Sequence, residues 1–226
     1  MRLVIAAVFC LNASLVHAQS SAPAAAPAPE PPAAAPLSME DPHPGDTWTY
    51  EISDEISGKV TDRRTDTITD VSPAEIAVRS SKGMEREKAG FNLYDRNWNA
   101  KTTDVMKFAP HSGLGVVQPL TVGATWNFKV DQTNTEKGFS WKWSGQSKVT
   151  GEEKLTTKAG TFDTFKIETN YTFFPVKNPG RKSEAVLQTW YAPAIDHWVL
   201  RKTVIRTEQM VRVNSKVELV SYGRKN

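Results

Sequence analysis

The amino-acid sequence predicts an all-β protein: a strongly curved antiparallel sheet or incomplete β-barrel with little helix. Three observations carry that prediction. From Phe165 the chain alternates, with Phe165, Ile167, Thr169, Tyr171 and Phe173 on one face and Lys166, Glu168, Asn170 and Thr172 on the other. That period of two is the mark of a half-buried antiparallel strand. Turn dipeptides punctuate such runs along the chain, at Pro44-Gly45, Ser57-Gly58, Ala159-Gly160 and Asn178-Pro179-Gly180. Threonine and β-branched residues crowd the segments between turns, and no long amphipathic helical pattern interrupts them.

Residues 1–18 read as a secretory signal peptide, with Arg2 as the positive start, an apolar core from Leu3 to Val16 and a small-residue exit at Ala18. The apolar run is shorter than the roughly 20 residues a membrane span needs. No later run is long enough, so no transmembrane segment is expected in the mature chain. Cys10, the only cysteine, falls inside the signal segment. The mature chain is thereby expected to lack disulfides, cysteine nucleophiles and cysteine metal ligands. Residues 19–37 are almost wholly Ala and Pro, with one charge at Glu30. Such a composition buries too little apolar surface to offset its ordering entropy, which predicts a disordered tether. Residues 38–226 fit a single β-domain.

The domain opens on Trp48, Tyr50 and Ile52, which share a face. Strands are predicted at Arg64–Asp70 and Glu75–Arg79, parted by Ser72-Pro73, and again over Phe91–Trp98. Between Ala100 and Val117 the pattern weakens; Thr103–Phe108 suits one or two helical turns, stopped by Ala109-Pro110. The segment Val122-Gly123-Ala124-Thr125-Trp126-Asn127-Phe128 then repeats the device of Pro44-Gly45-Asp46-Thr47-Trp48-Thr49-Tyr50 at an offset of 126 − 48 = 78 residues. Two related half-sheets follow from that repeat, although two copies make no solenoid. Phe139, Trp141 and Trp143 alternate on the next strand, and the final strands carry Trp198 to Ile205 and Val211 to Leu219. The count is ten to twelve strands.

The formal net charge of +3 hides an asymmetry. Residues 40–80 hold ten acids and four bases, −6, whereas residues 181–226 hold nine bases and four acids, +5. Either the first and last strands complement each other, or a basic edge meets anionic lipid or an acidic partner. Alternation of those bases with apolar residues favours complementary, solvated strand faces.

The run Pro119-Leu120-Thr121-Val122-Gly123-Ala124-Thr125-Trp126, then Ala159-Gly160-Thr161-Phe162 through Ile167, then Trp190-Tyr191-Ala192-Pro193, resembles a pattern of uncharacterised bacterial envelope proteins grouped as a domain of unknown function. The resemblance covers about the second half of the domain. It implies a secreted or periplasmic β-sheet protein akin to the half-barrels of periplasmic lipoprotein carriers, and it implies no catalytic residues. The chain departs from the family where a frequent glycine is replaced by Ile195-Asp196-His197.

Catalytic and cofactor motifs are not found. His43, His111 and His197 lack metal-ligand spacing, and no His-Glu-x-x-His or calcium loop occurs. Asp196-His197 resembles half of a triad without a serine elbow; a turn aspartate and a partly exposed histidine explain it better. Gly113-x-Gly115 is too short for a phosphate cradle. Aromatic-lysine strands suit nucleic acid stacking, but the export signal and near-neutral charge argue against that partner. The expected function is therefore that of a non-enzymatic periplasmic module with no cofactor and no metal, binding a lipid or other apolar ligand on its concave face. Trp126, Phe128, Phe165, Ile167, Tyr171 and Leu187 are the candidate lining residues. An alternative is a structural or assembly factor with an envelope protein partner; a hydrolase ranks below both. A fully packed closed barrel would leave no room for a ligand.

Overall fold

The computed structural model describes residues 39–83 and 88–224, and the signal segment 1–18 and tether 19–37 lie outside them. Twelve strands follow one another: β1 (Thr47–Asp54), β2 (Val60–Val71), β3 (Glu75–Lys82), β4 (Lys88–Asp95), β5 (Ala100–Thr103), β6 (Met106–Ala109), β7 (Thr125–Asn134), β8 (Ser140–Thr157), β9 (Gly160–Pro175), β10 (Ser183–Ala192), β11 (His197–Thr207) and β12 (Met210–Gly223). Each pairs antiparallel with its sequence neighbour, and β12 pairs with β1. The curved antiparallel sheet is thus present, but it closes into a barrel, which corrects the incomplete form. Closure removes the two free edges that an open sheet would expose.

The backbone ladder between β1 and β12 forms the closing seam, and ion pairs lie beside it. Arg224 Nε lies 2.9 Å from Asp46 Oδ1, and Lys202 Nζ lies 3.1 Å from Glu55 Oε2. The acidic opening and basic closing segments thus meet in two ion pairs, while the charges directly opposed in the ladder, Glu51 and Glu218, are both met by Lys158 of the β8–β9 hairpin.

The 78-residue repeat also has a structural counterpart. Gly45 (φ 94) donates its N–H to Ile68 O at 2.8 Å, and Ile68 N returns a bond to Asp46 O. Gly123 (φ 92) donates to Val149 O at 2.9 Å, and Val149 N returns one to Ala124 O. Both glycines hold a left-handed conformation that other residues adopt at a cost. β1 and β7 start on equivalent turns, so the barrel is two six-strand halves.

Thr103–Phe108 is not helical. β5 and β6 form a short hairpin, paired at Thr103 and Met106, and Asp104 at φ 52 supplies the tight turn. A two-residue turn needing positive φ is legible from Asp only weakly. The strand expected over Phe91–Trp98 ends at Asp95, because Asp95 accepts from the backbone N–H groups of Asn97 and Asn99, both at 2.9 Å, and folds a turn.

In this meander the turns alternate between two ends. The β2–β3, β4–β5, β6–β7 and β10–β11 connections gather at one, together with the start of β1. The inward side chains there are close-packed: Trp48, Trp98, Tyr191, Ile195, His197 and Trp198 are all buried, joined by Met39 and by Val116 and Leu120 from the β6–β7 loop. Gly115 lets that loop approach, since a Cβ there would lie 2.0 Å from Asn97 O. This end is sealed. At the other, Trp141, Trp143, Phe173, Met106 and Ile205 are only half-buried.

The long β8–β9 hairpin bends at a register shift between Val149 and Gly151 and lies back over the outside of the barrel. Its tip Lys158 reaches Glu51 Oε2 at 2.5 Å and donates its backbone N–H to Glu218 at 3.3 Å. Trp190, on the outer face, donates its indole N–H to Glu153 of this arm.

Candidate functional site

Inward positions follow from register. Phe128, Gly145, Tyr171, Ala185 and Ile205 are linked cross-strand partners, as are Trp126, Ser147, Thr169, Leu187 and Thr203. All six candidate lining residues lie on this inward face, but they divide into two groups. Ile167 is buried in the core of the sealed end, with Trp126 and Phe165 packed against it. Phe128 and Tyr171 sit farther along, their rings 6.3 Å apart, and Leu187 is half-buried beside them in the sheet. The second group meets an aromatic wall: Trp143 stacks on Tyr171 at 5.3 Å and 10°, and on Phe173 at 5.0 Å and 22°. Offset stacks of this kind add about 0.5–1.5 kcal/mol to what area burial supplies. Gly145 makes the wall possible, because a Cβ there would meet Tyr171 Cβ and Asn170 O at 2.5 Å and Phe128 Cζ at 2.9 Å.

Across the lumen the lining is polar. A cavity of 560 Å³ is lined in part by Arg64, Ser80, Asn92, Tyr94 and Met106. Arg201, one of the C-terminal bases expected on a solvated strand face, turns inward instead, as do Arg64 and Asp66. Arg64 and Asp66 are in phase with buried Ile68 on β2, and Arg201 is in phase with Ile205 on β11. Asp66 accepts a 2.5 Å hydrogen bond from Ser80 Oγ and lies 3.1 Å from Arg64 Nε. That ion pair is poorly aligned, since Arg64 Nε makes no hydrogen bond. The Arg64 guanidinium also lies 5.2 Å from the Tyr50 ring centroid. Arg201 lies flat on Trp198, its guanidinium carbon 3.5 Å from the ring centroid. Burial, with Arg64 adding to it, pulls the Arg201 pKa down to about 10. In phase with apolar neighbours, these two arginines were detectable as charges on the wrong face of their strands.

A bulge explains why Trp198 joins this layer. Trp190 pairs with Leu200 but Tyr191 pairs with Trp198, so Val199 is the extra residue and Trp198 turns inward beside Arg201. Strict alternation without the bulge would put Trp198 on the face of Leu200 and Lys202.

His197 is fully buried rather than partly exposed. Its ring stacks on Trp48 at 4.5 Å and meets Trp98 edge-on at 4.6 Å. Tyr50 Oη lies 2.6 Å from His197 Nδ1 and donates to Trp198 O at 3.0 Å. With the hydroxyl proton committed to that carbonyl, Nδ1 carries its own proton and donates it to Tyr50. Burial, and then the positive Arg201 and Arg64, push the His197 pKa well below its usual value, so the ring is neutral. Asp196 sits at φ 44 after a short 3-10 turn over Pro193–Ile195, in the left-handed position where glycine was expected. Its carboxylate accepts from Tyr191 Oη and, at 3.2 Å, from Trp98 Nε1. Asp196 thus pins the plug of the sealed end. It and His197 are adjacent but serve different partners, and no nucleophile lies between them.

The fold and lumen define a class: closed, meandering all-β barrels plugged at one end. Solved structures share this fold. One is a candidate lipoprotein of Parabacteroides distasonis, matched over 84% of this chain and 100% of that one, at 12% identity and a TM-score of 0.56. Another is a candidate exported protein of Bacteroides fragilis with a YmcC-like fold, matched over 83% and 100%, at 13% identity and a TM-score of 0.54. What is shared with them is the fold. No family model matches the chain, and no curated protein does.

Proposed function

We propose that this chain is an exported, non-catalytic envelope protein that carries an apolar or amphiphilic ligand in its barrel. One observation supports the reading above others: the interior is close-packed at one end, whereas toward the other the stacked aromatic wall is only half-buried and a 560 Å³ cavity opens on strands β2–β6. Ligand pockets typically span about 300–1,000 Å³. The expected signal segment and the fold shared with lipoprotein and exported proteins fit the envelope location. The family suggested by the Ala-Gly-Thr-Phe and Trp-Tyr-Ala-Pro motifs belongs to the same proposal.

The test is uptake of a neutral solvatochromic probe, 1-N-phenylnaphthylamine, together with mass spectrometry of solvent extracts from protein purified out of the envelope. Saturable fluorescence enhancement and a co-extracted lipid are expected. Thr203→Trp, which places an indole beside Leu187 in the lumen, is expected to weaken uptake at least fivefold while circular dichroism stays unchanged. No uptake and an empty extract would refute carriage.

A further inference from the structure

The lumen carries a cation that the protein leaves uncompensated. Among the described residues Arg64 and Arg201 face inward; the carboxylate beside them, Asp66, is already engaged by Arg64 and Ser80, and Asp62, in phase nearer the mouth, accepts from the backbone N–H groups of Arg63 and Gly83. Among the described residues Arg201 forms no ion pair, and its Nε is buried without a hydrogen-bond partner. The imbalance extends beyond charge. Five buried side-chain polar atoms lack partners among the described residues, on Trp48, Arg64, Trp143, Trp198 and Arg201, and every one is an N–H donor. Buried donors without partners call for an acceptor, supplied by ordered water or by a ligand, and of these five Arg64, Trp143 and Arg201 lie beyond the packed plug.

Position matters as much as number. Arg201 lies where the packed plug ends, flat on Trp198, and Trp143 belongs to the aromatic wall that leads from there to the open end. Stacking on an indole fixes the plane of a guanidinium and leaves its fork free, which suits two-pronged recognition of a carboxylate or phosphate. Taking an unpaired cation out of water is costly, and the cost is recovered when an anion arrives.

We propose that the ligand of this lumen is an anionic amphiphile, whose carboxylate or phosphate headgroup pairs with Arg201 at the floor while its apolar chain lies along Trp143, Tyr171 and Phe173. The proposal rests on the carriage reading above and adds the charge of the headgroup and its orientation, head inward. No headgroup chemistry beyond an acid is implied.

The experiment measures affinity of the full mature chain for dodecanoate, dodecyl phosphate, dodecanol and dodecyltrimethylammonium by displacement of 1-N-phenylnaphthylamine, with acetate and inorganic phosphate as headgroups without a chain. The two anionic amphiphiles are expected to bind at least tenfold tighter than dodecanol, with the cation weakest and the chainless anions without effect at millimolar concentration. Arg201→Gln is expected to erase that preference, so that dodecanoate, dodecyl phosphate and dodecanol displace the probe equally. Arg201→Lys keeps the charge but loses the fork, and serves if the Gln variant fails to fold; its preference should drop several-fold. Equal binding of dodecanol and dodecanoate, or a preference that survives in both variants, overturns the anionic proposal and leaves carriage standing. Binding of chainless anions equal to that of the amphiphiles overturns both, as does binding of nothing.

Discussion

Gly145→Ala adds one methyl group at the tightest point of the lumen wall. The new Cβ would lie 2.5 Å from both Asn170 O and Tyr171 Cβ, and 2.9 Å from Phe128 Cζ. Two of those three atoms are fixed by the β8–β9 ladder and cannot swing aside; only the Phe128 ring can yield. Overpacking of this kind costs about 1–3 kcal/mol. In a domain of this size that lowers the melting temperature by about 2–12 °C. Gly151 is the matched control. It lies on the same strand, at the register shift, and a Cβ there meets nothing within 4 Å. Gly151→Ala should therefore be neutral or stabilising by up to about 1 kcal/mol through reduced chain entropy. Urea denaturation of both variants, monitored by tryptophan fluorescence, gives the difference directly. If the two midpoints agree within about 0.5 kcal/mol, the limit of ordinary surface changes, the strands relax freely at Gly145. The close approach would then not be a constraint on the wall.

Two further outcomes follow from the sealed end. Tyr50→Phe removes the buried hydroxyl shared by His197 Nδ1 and Trp198 O; a loss of about 1–3 kcal/mol in denaturant stability is expected, and an unchanged midpoint would show that the hydroxyl contributes nothing net. Asp196 gives a pH signature. Burial outweighs its hydrogen bonds from Tyr191 and Trp98 and raises its pKa to about 6, so the folded state binds the proton more tightly than the unfolded chain. The stability it contributes is complete at acid pH and is lost as pH rises from about 4 to about 6, at most about 3 kcal/mol. His197 acts oppositely, because a neutral buried ring costs stability as pH falls below about 6.5. The difference between Asp196→Asn and the parent cancels the histidine and should swing in favour of Asn between pH 4 and pH 7; a flat difference would refute the assignment.

The sequence made the sheet legible because alternation and turn chemistry are local. Ala159-Gly160 and Asn178-Pro179-Gly180 marked real turns, and Trp48 with Trp126 marked equivalent strand starts. Closure was not legible, since it depends on β1 meeting β12 across most of the chain. The β5–β6 hairpin was lost because four-residue strands carry too few alternations to outvote a helical reading. For the site, the inward positions of Phe128, Tyr171 and Leu187 followed from the period of two, whereas Trp143 and Phe173 were not among the candidate lining residues. The cationic half did not follow, because charged residues on an alternating strand were assigned to water. Arg64 and Arg201 share phase with Ile68 and Ile205, and that clash of charge with apolar phase was the available signal. The inward turn of Trp198 depended on a bulge at Val199, which shifts phase without any mark in composition.

Met39 donates its backbone N–H to Ala194 O at 2.6 Å, beside the plug, and Arg224 closes on Asp46 at the same rim. Both ends of the described chain therefore leave from the blocked side. Barrel strands of about ten residues put roughly 25 Å between the two rims. A surface that grips the protein by either terminus would present the mouth outward, toward whatever it meets. Under the proposed carriage, loading and delivery share that one doorway, and a donor and an acceptor take turns there rather than act from opposite sides.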